Sequence, residues 1–249
     1  MARLQVVVAH PDDETFGCGS VLLHAAAAGA TTGVVCATRG EAGDGPGVGA
    51  PLGAVREKEL REAATLLGVR QVDLLEFTDS GMSGPAGPDT LVGAPFERVL
   101  AEITAAVAAF GPDVLVTLDA GDSHRDHVRV RDAALTAADQ LKVPRVYLSC
   151  LPRSLMRRWA QHMQTARPDM EHLDADLAAL GTPDDQVTTV IDVAQHLPAR
   201  ERAIAVHASQ NSPYDGLPND LRRAFLATDH LRRIVPVWHG GTPETQIFP

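Results

Sequence analysis

The chain has 249 residues, 45% of them hydrophobic, which is enough for a sizeable core and fits one α/β domain over residues 1–249. Its formal net charge of −10 excludes a general polyanion partner, because nucleic-acid affinity rests on Lys and Arg neutralising phosphates. No run of eighteen apolar residues is present, and Met1 to Leu4 lead directly into the first strand with no room for a signal peptide, so no membrane partner is expected.

In chain order, residues 4–9 form the first apolar run, with Val6 to Ala9 reading as a buried strand that Pro11 ends, since Pro has no amide hydrogen to donate. His10, Asp12, Asp13 and Glu14 therefore stand at the strand's carboxyl end, where open α/β sheets form ligand crevices. Helical spacing over 15–28 closes on Gly29. Further strands are predicted at 33–38, 72–76, 113–118 and 145–149, with helices at 55–67, 96–109 and 128–140. This alternation predicts a Rossmann-like parallel sheet with helices on both faces. The Gly- and Pro-rich stretches 40–53 and 81–93 read as loops at the rim of a site.

Beyond residue 150 the pattern loosens, with helices near 154–166 and 198–209 and a strand near 187–193 completing the same domain. The pairs Arg157-Arg158, Arg222-Arg223 and Arg232-Arg233 are placed on helical segments with solvated faces. Cys18, Cys36 and Cys150 are widely spaced and contain no C-x-x-C pattern, which suits a reducing, cytoplasmic setting. Cys36 and Cys150 read as small core hydrophobes.

A second polar loop, Gly121-Asp122-Ser123-His124-Arg125-Asp126-His127, follows the strand at 113–118. Singly, such residues are ordinary: Asp12, Asp13 and Glu14 could cap a helix, as could Ser123 and Asp126, and a lone His is more often a surface residue than a ligand. Two loops at equivalent positions, each with His and Asp at short spacing, point instead to a shared metal site. Imidazole and carboxylate ligands without thiolate suit Zn²⁺, with Fe²⁺ or another divalent ion as alternatives, and a three-ligand set leaves a position for water. A competing nucleotide-binding reading rests on Gly17-Cys18-Gly19, but the third glycine is missing and the preceding acids would repel a pyrophosphate.

Ala9-His10-Pro11-Asp12-Asp13-Glu14 together with His124-Arg125-Asp126-His127 resembles the LmbE-like, or PIG-L, family of metal-dependent de-N-acetylases. Thr38 to Gly43, Arg56 ahead of Glu59, Asp79-Ser80-Gly81-Met82 and His207-Ala208-Ser209-Gln210 extend the likeness over most of the chain. The resemblance implies His10, Asp13 and His127 as zinc ligands and Asp12 as the general base. It further implies His124 as an imidazolium acid or oxyanion stabiliser oriented by Asp126, and Arg56 and Asp79 as substrate-binding residues. The activity implied is hydrolysis of an N-acetyl or N-acyl amide on a small amino-sugar conjugate. An amidase of a thiol conjugate on the same site, or a non-catalytic carbohydrate-binding module, is the alternative, and a homo-oligomer is compatible with either. Arg153, just past the strand ending near Cys150, is a weaker candidate for substrate contact, and His207 and Cys18 carry no assigned role.

Overall fold

The computed structural model describes residues 1–43, 51–122, 124–166 and 180–248. In chain order its elements are β1 (Arg3–Val8), α1 (Asp13–Phe16), α2 (Gly19–Ala27), β2 (Thr31–Thr38), α3 (Leu52–Leu66), β3 (Gln71–Phe77) and α4 (Phe96–Phe110). They continue with β4 (Val114–Leu118), α5 (Arg125–Gln140), β5 (Arg145–Ser149), α6 (Arg153–Ala166), β6 (Thr189–Asp192), α7 (Leu197–Val206), α8 (Asn219–Leu226) and β7 (Thr228–Val235). The seven strands make one sheet in the order β3-β2-β1-β4-β5-β7-β6.

From Val6 to Val8 β1 is apolar on both sides because both faces of the sheet are covered. Leu4, Val6 and Val8 pack with residues of α2, α3 and α7, whereas Val7 and Ala9 pack with residues of α4 and α5. A satellite cluster under the C-terminal half joins Leu155 of α6, Ile204 of α7, and Tyr214, Leu221 and Phe225 in and around α8. Among the described residues, no helix is long and apolar enough to cross a membrane.

The predicted α/β architecture is present, with two local differences. The helix expected over 15–28 is broken at Gly17 and Cys18 into α1 and α2. At Gly17 the carbonyl accepts the Ser149 hydroxyl at 2.6 Å, and a Cβ there would collide with the Leu118 side chain. The break thus lets the start of the chain pack closely on β4 and β5. The second difference is β7, which is antiparallel to both β5 and β6 in an otherwise parallel sheet. Arg232 and Arg233 lie on this strand rather than on a helix. Its alternation is carried by buried Asp229 and Leu231, while Arg233 faces Glu244 in an ion pair at 2.5 Å.

Strand order decides where the site falls. β1 pairs in parallel with β2 on one side and β4 on the other, with Val7 opposite Thr117. The chain leaves β1 in one direction and β4 in the other, so the loops after these two strands open side by side at a topological switch point. Those are the two loops that carry the histidines and acids.

Candidate active site

The first loop is locked by its own backbone and side chains. The His10 amide donates to Asp13 Oδ2 at 2.9 Å, and the Asp13 amide donates to His10 O at 3.3 Å, which closes the turn behind Pro11. Asp12 occupies a φ of 112°, a region L side chains rarely adopt. Several contacts hold it there. Its amide donates to Glu14 Oε2 at 2.8 Å, and its carbonyl accepts the Thr15 and Phe16 amides at 2.9 and 2.7 Å. Glu14 is in turn fixed by His207, whose Nε2 lies 2.8 Å from Glu14 Oε1, both side chains being fully buried.

The second loop leads into α5, so His124 caps the helix, Asp126 lies in its first turn and His127 points back toward β1. His10 Nδ1 and His127 Nε2 are 3.2 Å apart. Asp13 reaches both, with Oδ2 3.6 Å from His10 Nδ1 and Oδ1 3.3 Å from His127 Nε2. The opposite ring nitrogens are engaged elsewhere. His10 Nε2 sits between Asp126 Oδ2 at 3.2 Å and Asp79 Oδ1 at 3.4 Å, and His127 Nδ1 lies 2.7 Å from Asp122 Oδ2.

This donor set fits a divalent ion. Tetrahedral zinc takes its N and O ligands at about 2.0–2.2 Å, which places neighbouring donor atoms roughly 3.3–3.6 Å apart. The separations among His10, Asp13 and His127 fall at or near that range. Each imidazole also has a carboxylate on its far nitrogen, the arrangement that fixes the tautomer of a ligating histidine and raises its basicity. His10, His124 and His127 offer ring nitrogens all within 4.8 Å of one another, so His124 borders the same point.

The charges follow from this crowding. Burial disfavours the His127 cation, but Asp13 and Asp122 outweigh it and push its pKa up to about 10. His10 is likewise opposed by burial and raised by Asp126, Asp13 and Asp79, while the histidines hold Asp13 well below the usual carboxylate range against its own burial. Asp12 differs from these: burial and the neighbouring Asp13 charge lift it to about 7, against the pull of Arg56. A carboxyl poised near neutrality beside a ligand cluster is suited to taking and returning a proton.

The contacts of Asp126, Arg56 and Asp79 run inward. The Asp126 carboxylate does not orient His124: its Oδ2 accepts from the Ser80 amide at 2.9 Å and faces His10, and it is the Asp126 backbone amide that donates to His124 Nδ1 at 3.2 Å. An Nδ1 that accepts a hydrogen bond belongs to a neutral ring with its proton on Nε2. Burial and the nearby His10 and His127 also lower the His124 pKa. Arg56 is only 3% exposed and turns inward, donating to Pro11 O at 2.6 Å, Gly40 O at 2.7 Å and Asp12 Oδ2 at 3.0 Å. Gly40, at φ 65°, is required here because a Cβ would overlap the guanidinium. Asp79 is buried too, accepting the Gly81 and Ala42 amides at 2.8 and 3.3 Å while facing His10. Both side chains are thus turned toward the loops and toward Asp12 and His10.

Glu14, Asp122, Ser80 and His207 are the contributors that sequence reasoning left without a place. Asp122 and Glu14 stood inside the two motifs, so their positions were visible and their partners were not. Cys18 is buried under α2, and the Arg153 amide donates to Thr182 O at the start of α6. Gly17 and Gly19 pack against side chains, Leu118 for the first and Leu67 and Arg200 for the second, and no phosphate loop forms. Ser123 and residues 44–50 of the 40–53 loop lie outside the described residues.

Comparison with known proteins gives a consistent picture. Residues 5–138 match the family model described as PIG-L, GlcNAc-PI de-N-acetylase. A 1D-myo-inositol 2-acetamido-2-deoxy-alpha-D-glucopyranoside deacetylase from Thermobispora bispora is 31% identical over 260 aligned residues, covering 91% of this chain and 86% of that protein. Among solved structures, the N,N'-diacetylchitobiose deacetylase of Pyrococcus horikoshii superposes with a TM-score of 0.61 at 20% identity, over 97% of this chain and 86% of that one. The 4-carboxy-2-hydroxymuconate hydratase of Pseudomonas putida KT2440 superposes equally well, with a TM-score of 0.63 at 17% identity over 97% and 99% of the two chains. The shared fold thus serves more than one reaction, and function has to be argued from the site.

Proposed function

The chain belongs to the PIG-L family of de-N-acetylases, and from that premise we propose that it hydrolyses the N-acyl amide of a small amino-sugar conjugate at a site built on His10, Asp13 and His127. The observation that carries this reading is the convergence of His10 Nδ1, His127 Nε2 and the Asp13 carboxylate at 3.2 to 3.6 Å, with the half-buried Asp12 carboxylate next in the chain. The three side chains would hold Zn²⁺, or Fe²⁺ or a similar divalent ion, which supplies a Lewis acid that polarises a carbonyl and acidifies water.

Asp12 accepts a proton from the attacking water as its oxygen bonds to the amide carbon. The carboxyl then delivers that proton to the departing nitrogen as the C–N bond breaks, leaving a carboxylate and a free amine. His124, neutral and with its proton on Nε2, donates a hydrogen bond to the oxyanion that develops on the carbonyl oxygen. Arg56 keeps Asp12 in place and favours its ionised form. Asp79 and Asp126 present His10 with Nδ1 forward, and Asp122 presents His127 with Nε2 forward. We also place the enzyme in a reducing, cytoplasmic setting, in keeping with three buried free thiols.

Incubating the zinc-loaded protein with N-acetylglucosaminyl-inositol and with N-acetylglucosamine, and following the free amine, tests the reading. Amine release that Asp12→Asn abolishes supports it. Absence of amine from every N-acyl amino sugar tried, with metal bound, contradicts it.

A further inference from the structure

A cavity of about 410 Å³ opens beside the ligand cluster, with Asp13, Asp122 and His127 in its wall. Asp12, Arg56, Asp79 and His124 take no part in lining it. Its volume lies in the range that holds a drug-sized ligand, far more than the methyl of an acetyl group requires. The remainder of the wall is dominated by Phe16, Leu118, Met156, Trp159, Tyr214 and Phe225.

Several polar groups of the wall are already engaged, although Asp229 Oδ2 and Arg200 Nε have no hydrogen-bond partner among the described residues. The Tyr214 hydroxyl donates to Phe16 O at 2.6 Å, and the Ser149 hydroxyl donates to Gly17 O at 2.6 Å. Arg200, also in the wall, is engaged by Ser20 Oγ at 2.7 Å, Phe16 O at 2.7 Å and Asp229 at 3.3 Å. Each sugar hydroxyl buried there without a partner would cost about 1–3 kcal/mol. An alkyl chain would pay no such penalty and would gain from leaving water.

Resting on the deacylase reading above, we propose that this cavity is an acyl-chain site, so that the substrate class is an amino sugar carrying an N-acyl group longer than acetyl. The scissile carbonyl must lie at His10, Asp13 and His127, and the cavity shares Asp13 and His127 with that point. Whatever fills it therefore lies next to the reacting carbon, and the apolar wall suits the acyl side of the amide. The amine half of the amide then lies toward the loops that carry Asp12 and Asp79, and the acyl half enters the apolar space. The bond that breaks is the same C–N bond, with water supplying the hydroxyl to the acyl carbon and a proton to the nitrogen.

The test is a chain-length series on the zinc-loaded enzyme: N-acetyl-, N-butyryl- and N-hexanoylglucosamine, all read as released glucosamine, beside the octyl glycoside of N-acetylglucosamine. At about 0.8 kcal/mol per buried methylene, kcat/KM should rise about fourfold per methylene, or about 200-fold from acetyl to hexanoyl. Met156→Trp, which fills the space from a half-buried position on α6, should flatten that ratio. A flat or falling series overturns the proposal. A gain confined to the octyl glycoside also overturns it, since the apolar group would then belong to the other half of the substrate.

Binding separates this proposal from the deacylase reading. In a Trp238→Phe background Trp159 is the only tryptophan. N-hexanoylglucosamine should shift its emission and bind at least tenfold more tightly than N-acetylglucosamine, whether or not the amide is cleaved. Equal affinities with unchanged emission refute the acyl-chain site even where N-acetylglucosamine is hydrolysed. Tight hexanoyl binding with no cleavage refutes the hydrolytic reading and leaves the site standing.

Discussion

Replacing Arg56 with Met would remove the charge that sets the base while keeping most of the stem. Three hydrogen bonds are lost, to Pro11 O, Gly40 O and Asp12 Oδ2 at 2.6, 2.7 and 3.0 Å, from a side chain that is 3% exposed. Breaking a buried ion pair by removing one partner costs about 3–5 kcal/mol, and at roughly 2–4 °C per kcal/mol for a chain of this size the melting temperature should fall by about 6–20 °C. The catalytic consequence is separate. Asp12 already stands at about 7 because burial and Asp13 outweigh Arg56. An adjacent Arg holds an Asp pKa down by about 1–3 units, so its removal should move the acid limb of kcat/KM upward by that amount. Activity lost at neutral pH should then return in part at alkaline pH, and Arg56→Lys, which keeps the charge without the fork, should fall between the two. The assay is amine release against pH at full metal occupancy. An acid limb at the wild-type position with activity lost at every pH would refute the coupling to Asp12. A loss confined to larger substrates would return Arg56 to substrate recognition.

Other substitutions probe the remaining roles. Asp12→Asn should keep its metal and lower kcat by about 10²–10⁴, since the amide cannot accept the water's proton; near-normal turnover would remove Asp12 as the base. Asp79→Asn and Asp126→Asn should each weaken metal binding by about 10–100-fold in chelator competition, because the His10 tautomer loses a carboxylate partner, and unchanged affinity would separate them from His10. His124→Ala should lower kcat by about 10²–10³, the usual worth of an oxyanion donor, while leaving the alkaline limb where it is. A displaced limb would mean that His124 works as an imidazolium.

Much of the candidate site was legible in the sequence because the residues proposed as ligands sit within a few residues of strand ends. Val6 to Ala9 and Val114 to Leu118 announce buried strands, and the polar residues after them fall at the crevice by the logic of the fold. The two similar loops suggest a shared site, and the parallel pairing of β1 with β4, with Val7 opposite Thr117, is what sets them side by side. Partnerships across long sequence distances were not legible. Spacing says nothing of Arg56 reaching Asp12, of Asp126 turning to His10, or of His207 bracing Glu14 from 193 residues away. Strand β7 was hidden for a different reason: its paired arginines mask a period-two alternation that only Asp229 and Leu231 carry. The break at Gly17 likewise depends on Leu118, a residue of another strand.

The central claim, a divalent ion held by His10, Asp13 and His127 and required for amide hydrolysis, is tested most directly by reconstitution. Metal is stripped with chelator, zinc is titrated back, and bound metal and released amine are followed on the same sample. Activity should be abolished on stripping and return in proportion to about one ion per chain, with His10→Ala, Asp13→Ala and His127→Ala each failing to retain metal or recover. Full activity in the stripped protein, or full metal occupancy in all three variants, would contradict the account.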